Sequence, residues 1–402
     1  MKPSVLKVTD RVNWIGVLDP DLLTFDIVME TRYGTTYNSY FINAQKKAVV
    51  ETVKEGFWPE YREKLISLAD PSEIEYIIFN HTEPDHSGSL KHLLELAPQA
   101  TVVGSGQALT YLSEMMGKSF KSLKVKDGDV IDLGNMKLRV IGAPNLHWPD
   151  SIYTYLEEEA LLFTCDSFGA HYADEKMWDD LVGDYTEAFD YYFNVILKPY
   201  SKFMLKAVEK IEGLPIKMIC PGHGPLLRST WTEKMERSAS LAKKYLHETE
   251  RSNRVLIAYV SAYGYTREMA LQLKEALLRA GDLEVDLVDI ENILLGDLEE
   301  YLVRADGILV GSPTINQNTL LPVYRLFAVM NPIRDKGKPA AAFGSFGWSG
   351  EAVKLIEDQL RNLKLRIVAD GVSARFMPGE EETKSLIRFG EAFGKAMLEP
   401  VS

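Results

Sequence analysis

The sequence predicts an α/β protein of two domains, a strand-rich one built on mixed, helix-covered sheets and then a doubly wound parallel sheet. Two observations carry this. Up to about residue 250, short apolar or alternating runs recur with helical patterns between them; from residue 254 onward, strand and helix patterns alternate five times. Between the two lies a polar run, His247 to Asn253, which we read as the linker, giving domains of residues 1–250 and 251–402.

In the first domain the strand-like runs are 13–18, 37–42, 75–79, 100–103, 137–142, 151–155, 160–164 and 216–220. Helical spacing appears at 59–69, 89–96 and 106–116 and in a long amphipathic stretch at 186–211. In the second, strands at 254–260, 284–290, 307–312, 339–344 and 365–369 alternate with helices at 267–280, 297–304, 322–330 and 350–363. A last helix covers 380–397.

Composition narrows the function. The 402 residues are 46% hydrophobic and 26% charged, an ordinary globular balance. Acidic side chains outnumber basic ones 58 to 45, and the net charge of -13 works against nucleic-acid binding. No run approaches the roughly 18 apolar residues of a membrane span. The start, Met1-Lys2-Pro3-Ser4, lacks the build of a signal peptide. We therefore expect a cytoplasmic protein without a membrane partner. Cys165 and Cys220 lie in apolar runs and no Cys-x-x-Cys occurs, which excludes a zinc ribbon, a fused rubredoxin or a cysteine-ligated cluster.

The chemistry concentrates after the run Tyr76–Phe79. The segment Asn80-His81-Thr82-Glu83-Pro84-Asp85-His86-Ser87-Gly88 packs four potential metal ligands into a few residues. In an extended segment His81, Glu83 and Asp85 point to one side, and a turn at Asp85-His86 swings the last imidazole inward. His147, Asp166 and His223 each follow an apolar run and precede a turn. Singly they could be caps or loop residues; the set makes them ligands. Four imidazoles and three carboxylates form a harder, more anionic set than a zinc hydrolase needs, and they favour iron. His92 and His247 read as structural or solvated, whereas His171, five residues past Asp166, is a candidate to sit behind the ligands.

In the second domain three loops at strand ends are unusual. The first holds Ser261, Tyr263, Gly264, Tyr265 and Thr266 ahead of a helix, and offers hydroxyl and backbone donors to a phosphate. The second holds Ser312, Pro313, Thr314 and Asn316; the third holds Ser345, Phe346, Gly347 and Trp348. Aromatic faces and backbone donors on three loops of one sheet suit FMN. Gly104-Ser105-Gly106 mimics a dinucleotide fingerprint, but Leu109 takes the third glycine position, and we read a tight turn.

The ligand order, H-x-E-x-D-H and then His, Asp and His at loop starts, resembles the metallo-β-lactamase fold, an αββα sandwich with a dinuclear site. That likeness covers about residues 1–250, with Glu83 where zinc hydrolases of the fold commonly carry histidine. The loop at 261–266 resembles the phosphate loop of flavodoxins, apart from Tyr263. Joined, the two halves are similar to the flavodiiron protein family over essentially the whole chain, in its short class without fused redox modules. The segments Leu146–Ser151, Ser312–Thr314 and Phe343–Trp348 carry this likeness as well.

The resemblance implies two iron ions and FMN, and reduction of dioxygen to water, of nitric oxide to nitrous oxide, or both. It places His81, Glu83, His147 and Asp166 on one iron, and Asp85, His86, His223 and again Asp166 on the other. Tyr192 is a candidate pocket donor. It further implies an external electron donor such as rubredoxin or a reduced deazaflavin, and a head-to-tail homodimer or dimer-based tetramer. Two ferrous ions and a reduced flavin together hold the four electrons that dioxygen needs. The alternative is a zinc-dependent hydrolase of the same sandwich fold with an accessory flavodoxin-like domain, which Glu83 disfavours; another is an electron-transfer flavoprotein with a structural metal site.

Overall fold

The computed structural model describes residues 5–25, 29–248 and 252–399. The chain divides into two compact units, Met1–Tyr245 and Leu246–Ser402.

In the first unit two sheets lie face to face. One has the order Leu6–Lys7, Val12–Trp14, Tyr40–Ile42, Lys47–Val50, Ile74–Ile78, Thr101–Gly104 and Ser122–Lys124. Its first four strands pair antiparallel and its last three join in parallel. The other runs Val130–Asp132, Lys137–Gly142, Ile152–Leu156, Leu161–Cys165 and Met218–Pro221, and only its last pairing is parallel.

The period of two along each strand sorts the apolar residues into layers. Trp14, Tyr40, Val50 and Ile78 meet Leu138, Leu156, Phe163 and Cys220 between the sheets. On the outer face of the first sheet Val49, Ile77 and Val102 pack against Tyr61, Leu65 and Leu112 from the helices Trp58–Leu68 and Gly106–Met116. Outside the second, Tyr153, Leu162 and Ile219 pack with Phe189, Met204 and Ala242. The result is the αββα sandwich that the sequence predicts.

Three local expectations change. Run 13–18 becomes two strands, because Val17–Asp19 leaves the sheet to pair with Thr35–Tyr37. The stretch 186–211 is not one helix: Thr186–Tyr192 passes through a π turn at Phe193–Leu197 and a 3₁₀ turn at Lys198–Tyr200 into Ser201–Ile211. Pro199, which has no N–H to donate, sits at that break. Finally, His247, expected in the linker, lies in the last turn of a helix, Trp231–Glu248. Residues 249–251 of the expected linker lie outside the described residues. This helix begins under a remote cap, for Asp179 accepts from the backbone N–H of Ser229 at 3.0 Å and of Thr230 at 2.6 Å.

The second unit is a parallel sheet in the order Glu284–Asp289, Arg254–Tyr259, Gly307–Gly311 and Pro339–Phe346, closed by two short strands, Arg366–Ile367 and Val372–Arg375. This is the 2-1-3-4-5 order of a flavodoxin-like sheet. The run 365–369 therefore holds only part of the fifth strand. The chain steps away at Gly371, whose N–H donates to Glu357 at 2.6 Å, and pairs again further along Pro339–Phe346. Helices Tyr265–Ala280 and Glu380–Leu398 cover one face, while Leu295–Arg304, Leu321–Val329 and Glu351–Asn362 cover the other. Among the described residues no helix is long and apolar enough to cross a membrane.

One buried ion cluster braces this unit. Asp335 is fully buried, 2.7 Å from the Arg334 guanidinium and 2.9 Å from Lys338 Nζ. Burial opposes the charge, yet the Arg334 hydrogen bond and the Lys338 charge hold the Asp335 carboxyl below its ordinary value. A depressed carboxyl contributes stability above its unfolded pKa of about 3.9 and loses it as pH falls through the folded value. Asp335→Ala should therefore destabilise the second unit by about 3 kcal/mol at pH 7, since it removes the buried counter-charge that Arg334 and Lys338 share. The deficit should shrink in acid, read by denaturant unfolding at several pH values.

Candidate metal centre and flavin loops

Strand ends of both sheets deliver the clustered side chains. His81 and Glu83 follow Ile74–Ile78; Asp85 and His86 lie on the one-turn helix Pro84–Ser87; His147, Asp166 and His223 follow Lys137–Gly142, Leu161–Cys165 and Met218–Pro221. Their donor atoms form two groups able to hold a cation: His81, Glu83, His147 and Asp166, and Asp85, His86 and His223. Asp166 joins them. Its Oδ2 lies 3.4 Å from His81 Nε2 and 3.2 Å from His147 Nε2, while its Oδ1 lies 3.0 Å from His86 Nε2 and 3.5 Å from His223 Nε2.

Within the first group Glu83 Oε2 is 3.2 Å from His81 and 2.9 Å from His147. In the second, Asp85 Oδ2 is 3.1 Å from His223 and 3.5 Å from His86. Ligands at about 2.1 Å from one ion in a tetrahedral shell stand about 3.4 Å apart. The separations found here fit two such shells sharing an edge residue.

Electrostatics point the same way. Neither carboxylate oxygen of Asp85, and not Oδ2 of Asp166, has a partner of hydrogen-bond geometry, although all are buried. Three buried oxygens of two carboxylates, Asp85 and Asp166, thus lack a hydrogen-bond donor among the described residues. Burial alone would lower the imidazoles, yet the Asp166 and Glu83 carboxylates overcome it and raise His147 to about 9. Against the same burial, Asp150 and Asp166 raise His81, and Asp85 and Asp166 raise His86. Burial likewise disfavours the charge of Asp166, but His86 and His147 hold its carboxyl well below the ordinary range. The cluster draws in positive charge, and two metal ions would supply it.

A second ring of groups aims the clustered side chains. His81 Nδ1 lies 3.3 Å from Asp150 Oδ1, and Asp150 also accepts from the Thr82 N–H at 2.8 Å and the Thr82 hydroxyl at 2.7 Å. His223 Nδ1–H donates to the Thr36 carbonyl at 2.6 Å. Each bond leaves Nε2 facing the cluster. Glu51 Oε1 accepts the Asn80 N–H at 2.7 Å beside His81, and burial pushes its own carboxyl up. Trp148 stands edge-on to His81 at 5.2 Å. Sequence reasoning missed these supports. Asp150 closes a motif it had singled out; Glu51 and Thr36 carry no local signal.

His171 and Tyr192 both lie beside the centre. The His171 ring is 5.2 Å from His223 and 4.8 Å from Tyr192, and burial holds it well below its ordinary pKa. His92, by contrast, stacks on Trp58 at 5.4 Å and meets Glu55 at 3.0 Å, as a structural residue would.

The flavin-loop residues gather at the carboxyl ends of the second sheet. Gly264, at φ +86°, precedes the helix Tyr265–Ala280, a conformation that favours glycine. Buried Thr266 shares a 2.8 Å hydrogen bond with Ser345, and the Thr314 N–H donates to the Ser345 carbonyl at 2.8 Å, so all three loops are tied together. Ser312 Oγ accepts the Leu320 N–H at 3.2 Å, and Pro313 follows it. Asn316 takes φ +54°. Tyr263 and Trp348 are 80% and 84% exposed, aromatic faces with little covering them, which suits a planar ring. Phe346 is half-buried beside Gly347. A fourth loop escaped the sequence reading: Phe376, 49% exposed, donates its N–H to the Phe346 carbonyl at 2.9 Å, and Arg375 Nε donates to the Gly347 carbonyl at 2.9 Å.

Comparison with known proteins decides the family. Residues 35–224 match the ODP family beta lactamase model and residues 257–390 match flavodoxin. The chain is 38% identical to the flavo-diiron protein FprA2 of Clostridium acetobutylicum, over 98% of this chain and 99% of that one. This chain belongs to the flavodiiron protein family. A nitric oxide reductase of Moorella thermoacetica is 35% identical to this flavodiiron protein, over 95% of this chain and 96% of its own. Among solved structures, rubredoxin oxygen:oxidoreductase from Desulfovibrio gigas superposes with a TM-score of 0.68 at 27% identity, and covers 98% of each chain. The flavodiiron protein of Giardia intestinalis gives 0.66 at 29%, over 98% of this chain and 97% of that one. The family carries FMN and a diiron site, and the donor sets on both units of this flavodiiron protein fit those groups.

Two outcomes test the centre. Gly222 leaves no room: a Cβ there would lie 2.8 Å from His86 Cε1 and 3.1 Å from Cys165 Sγ. Gly222→Val should push His86 aside and cut metal content to about one ion per chain, measured by elemental analysis. Because imidazoles raised by their carboxylates bind protons that metal must displace, loading the metal-free protein at pH 7 should release protons in a pH-stat, and metal affinity should fall as pH drops.

Proposed function

We propose that this flavodiiron protein reduces dioxygen to water, nitric oxide to nitrous oxide, or both, at two irons fed through FMN by an external donor. The observation that carries the reading is Asp166, whose two oxygens face separate ligand groups. One iron would be held by His81, Glu83, His147 and Asp166, the other by Asp85, His86, His223 and Asp166. Residues 1–250 would form the diiron domain and 251–402 the FMN domain. When bound, iron and flavin would supply the electrons and the site for the gas. The protein's share is to hold seven ligands in place, keep bulk water out and donate hydrogen bonds, with His171 and Tyr192 as donors beside the site.

The loops at 261–266, 312–316 and 345–348 would hold the FMN phosphate and ring. The relatives named for nitric oxide reduction and for rubredoxin oxygen oxidoreduction support the reaction class and suggest rubredoxin as donor, with a reduced deazaflavin as the other candidate. We further propose a head-to-tail homodimer, or a tetramer of such dimers. The free, buried state of Cys165 and Cys220 agrees with the reducing cytoplasm.

Metal analysis with gas kinetics tests this reading: about two irons per chain and donor-dependent gas consumption are expected, and about two zincs retained after expression in iron-rich medium would overturn it. Asp166→Asn should lower both occupancies together, because it removes the charge they share. Loss of one iron alone would refute the bridge.

A further inference from the structure

The three most deeply buried imidazoles of the cluster are not held alike. His81 has Asp150 behind its Nδ1 and His223 has the Thr36 carbonyl, whereas His86 Nδ1 is buried with no hydrogen-bond partner among the described residues. His86 also rides on the shortest support in the site, the four-residue helix Pro84–Ser87. A helix of one turn is unstable by itself, and its last carbonyls find no donor within it. The backbone of His86 must therefore be fixed from outside the helix.

That anchor is Thr52. It lies two residues past the strand Lys47–Val50, is fully buried, and gives the His86 carbonyl two donors, its N–H at 2.8 Å and its hydroxyl at 2.6 Å. Its neighbours hold the same loop. The Glu51 N–H donates to the Ile78 carbonyl at 2.9 Å, Glu51 Oε1 accepts the Asn80 N–H at 2.7 Å, and the Val53 carbonyl accepts the Ser89 N–H at 3.0 Å. Residues 51–53 thus form a strap along the loop 80–88, bonded near its start, near its end and, through Thr52, at His86. Gly222 closes the other side, since a Cβ there would lie 2.8 Å from His86 Cε1. With its carbonyl clasped and its ring stopped on Gly222, His86 keeps Nε2 at 3.0 Å from Asp166 Oδ1.

We propose that Thr52 is a positioning residue for His86: its double hydrogen bond to the His86 carbonyl takes the place of the missing partner at Nδ1 and sets the affinity of the second metal position, that of Asp85, His86, His223 and Asp166. The inference rests on the two-metal reading of the cluster and not on which gas is reduced. Removing an outer partner of this kind weakens a metal site about 10- to 100-fold. The Thr52 hydroxyl is one of two donors, so its loss belongs at the lower end.

Zinc titration of the full, FMN-loaded chain, stripped of iron and followed by calorimetry, tests this without turnover. The wild type should bind two zinc ions, and His86→Ala marks the step that belongs to the second position. Thr52→Val, which keeps the shape and the backbone N–H but removes the hydroxyl, should weaken that same step about tenfold and leave the other unchanged. Thr52→Ser should restore it. In the His86→Ala background Thr52→Val should have no further effect, because a residue that acts through His86 has nothing left to position. Thr52→Ala carries the same expectation if the valine variant does not fold. Equal weakening of both steps, an undiminished effect in the His86→Ala background, no rescue by serine, or wild-type affinity in the valine and alanine variants would each overturn the proposal. A wild-type chain that binds fewer than two zinc ions would instead sink the two-metal reading.

Discussion

Charge concentration at Asp166 governs the first unit. Three carboxylates and four imidazoles converge in a space from which bulk water is largely excluded, and the carboxylates repel one another unless protons on the imidazoles or metal cations offset their charge. The fold opposes that repulsion by rigid delivery. Five of the seven side chains follow strand ends and Asp85 and His86 stand on the one-turn helix Pro84–Ser87, all beside covered layers, so the repulsive groups cannot relax apart without tearing those layers. The αββα sandwich is the device that holds an unfavourable arrangement ready for metal.

Much of this was legible in the chain because the first four side chains of the cluster lie close together in sequence. A loop carrying His81, Glu83, Asp85 and His86 declares itself whatever surrounds it, and the five-fold strand–helix alternation after residue 254 is equally local. What escaped is what depends on contacts between distant segments. Asp179 caps a helix that begins some fifty residues later, so the helix start has no strong signal of its own. Thr36 serves His223 through a backbone carbonyl, which no side-chain pattern encodes. The fifth strand of the second unit breaks at Gly371 because Glu357, on a neighbouring helix, captures the Gly371 N–H.

The second unit shows a different economy. Its loops are stabilised by one another rather than by a core: hydroxyl to hydroxyl between Thr266 and Ser345, backbone to backbone between Thr314 and Ser345, and Phe376 to Phe346. Their aromatic residues are left outward. A ligand-binding edge of this type keeps its backbone donors ordered while exposing flat surface, a combination that a closed hydrophobic core could not offer.

The clamp around His223 reaches beyond the cluster. A single side-chain amide, that of Asn38, donates to the carbonyls of Pro221 at 2.9 Å and Gly224 at 3.0 Å, on either side of the histidine, and accepts the Trp14 indole N–H at 2.8 Å. This loop is thus shaped by the polypeptide alone. Because Asn38 ties both flanks of His223 to Trp14, the position of this one side chain is coupled to the opposite sheet, and a change at Trp14 would be felt at the cluster.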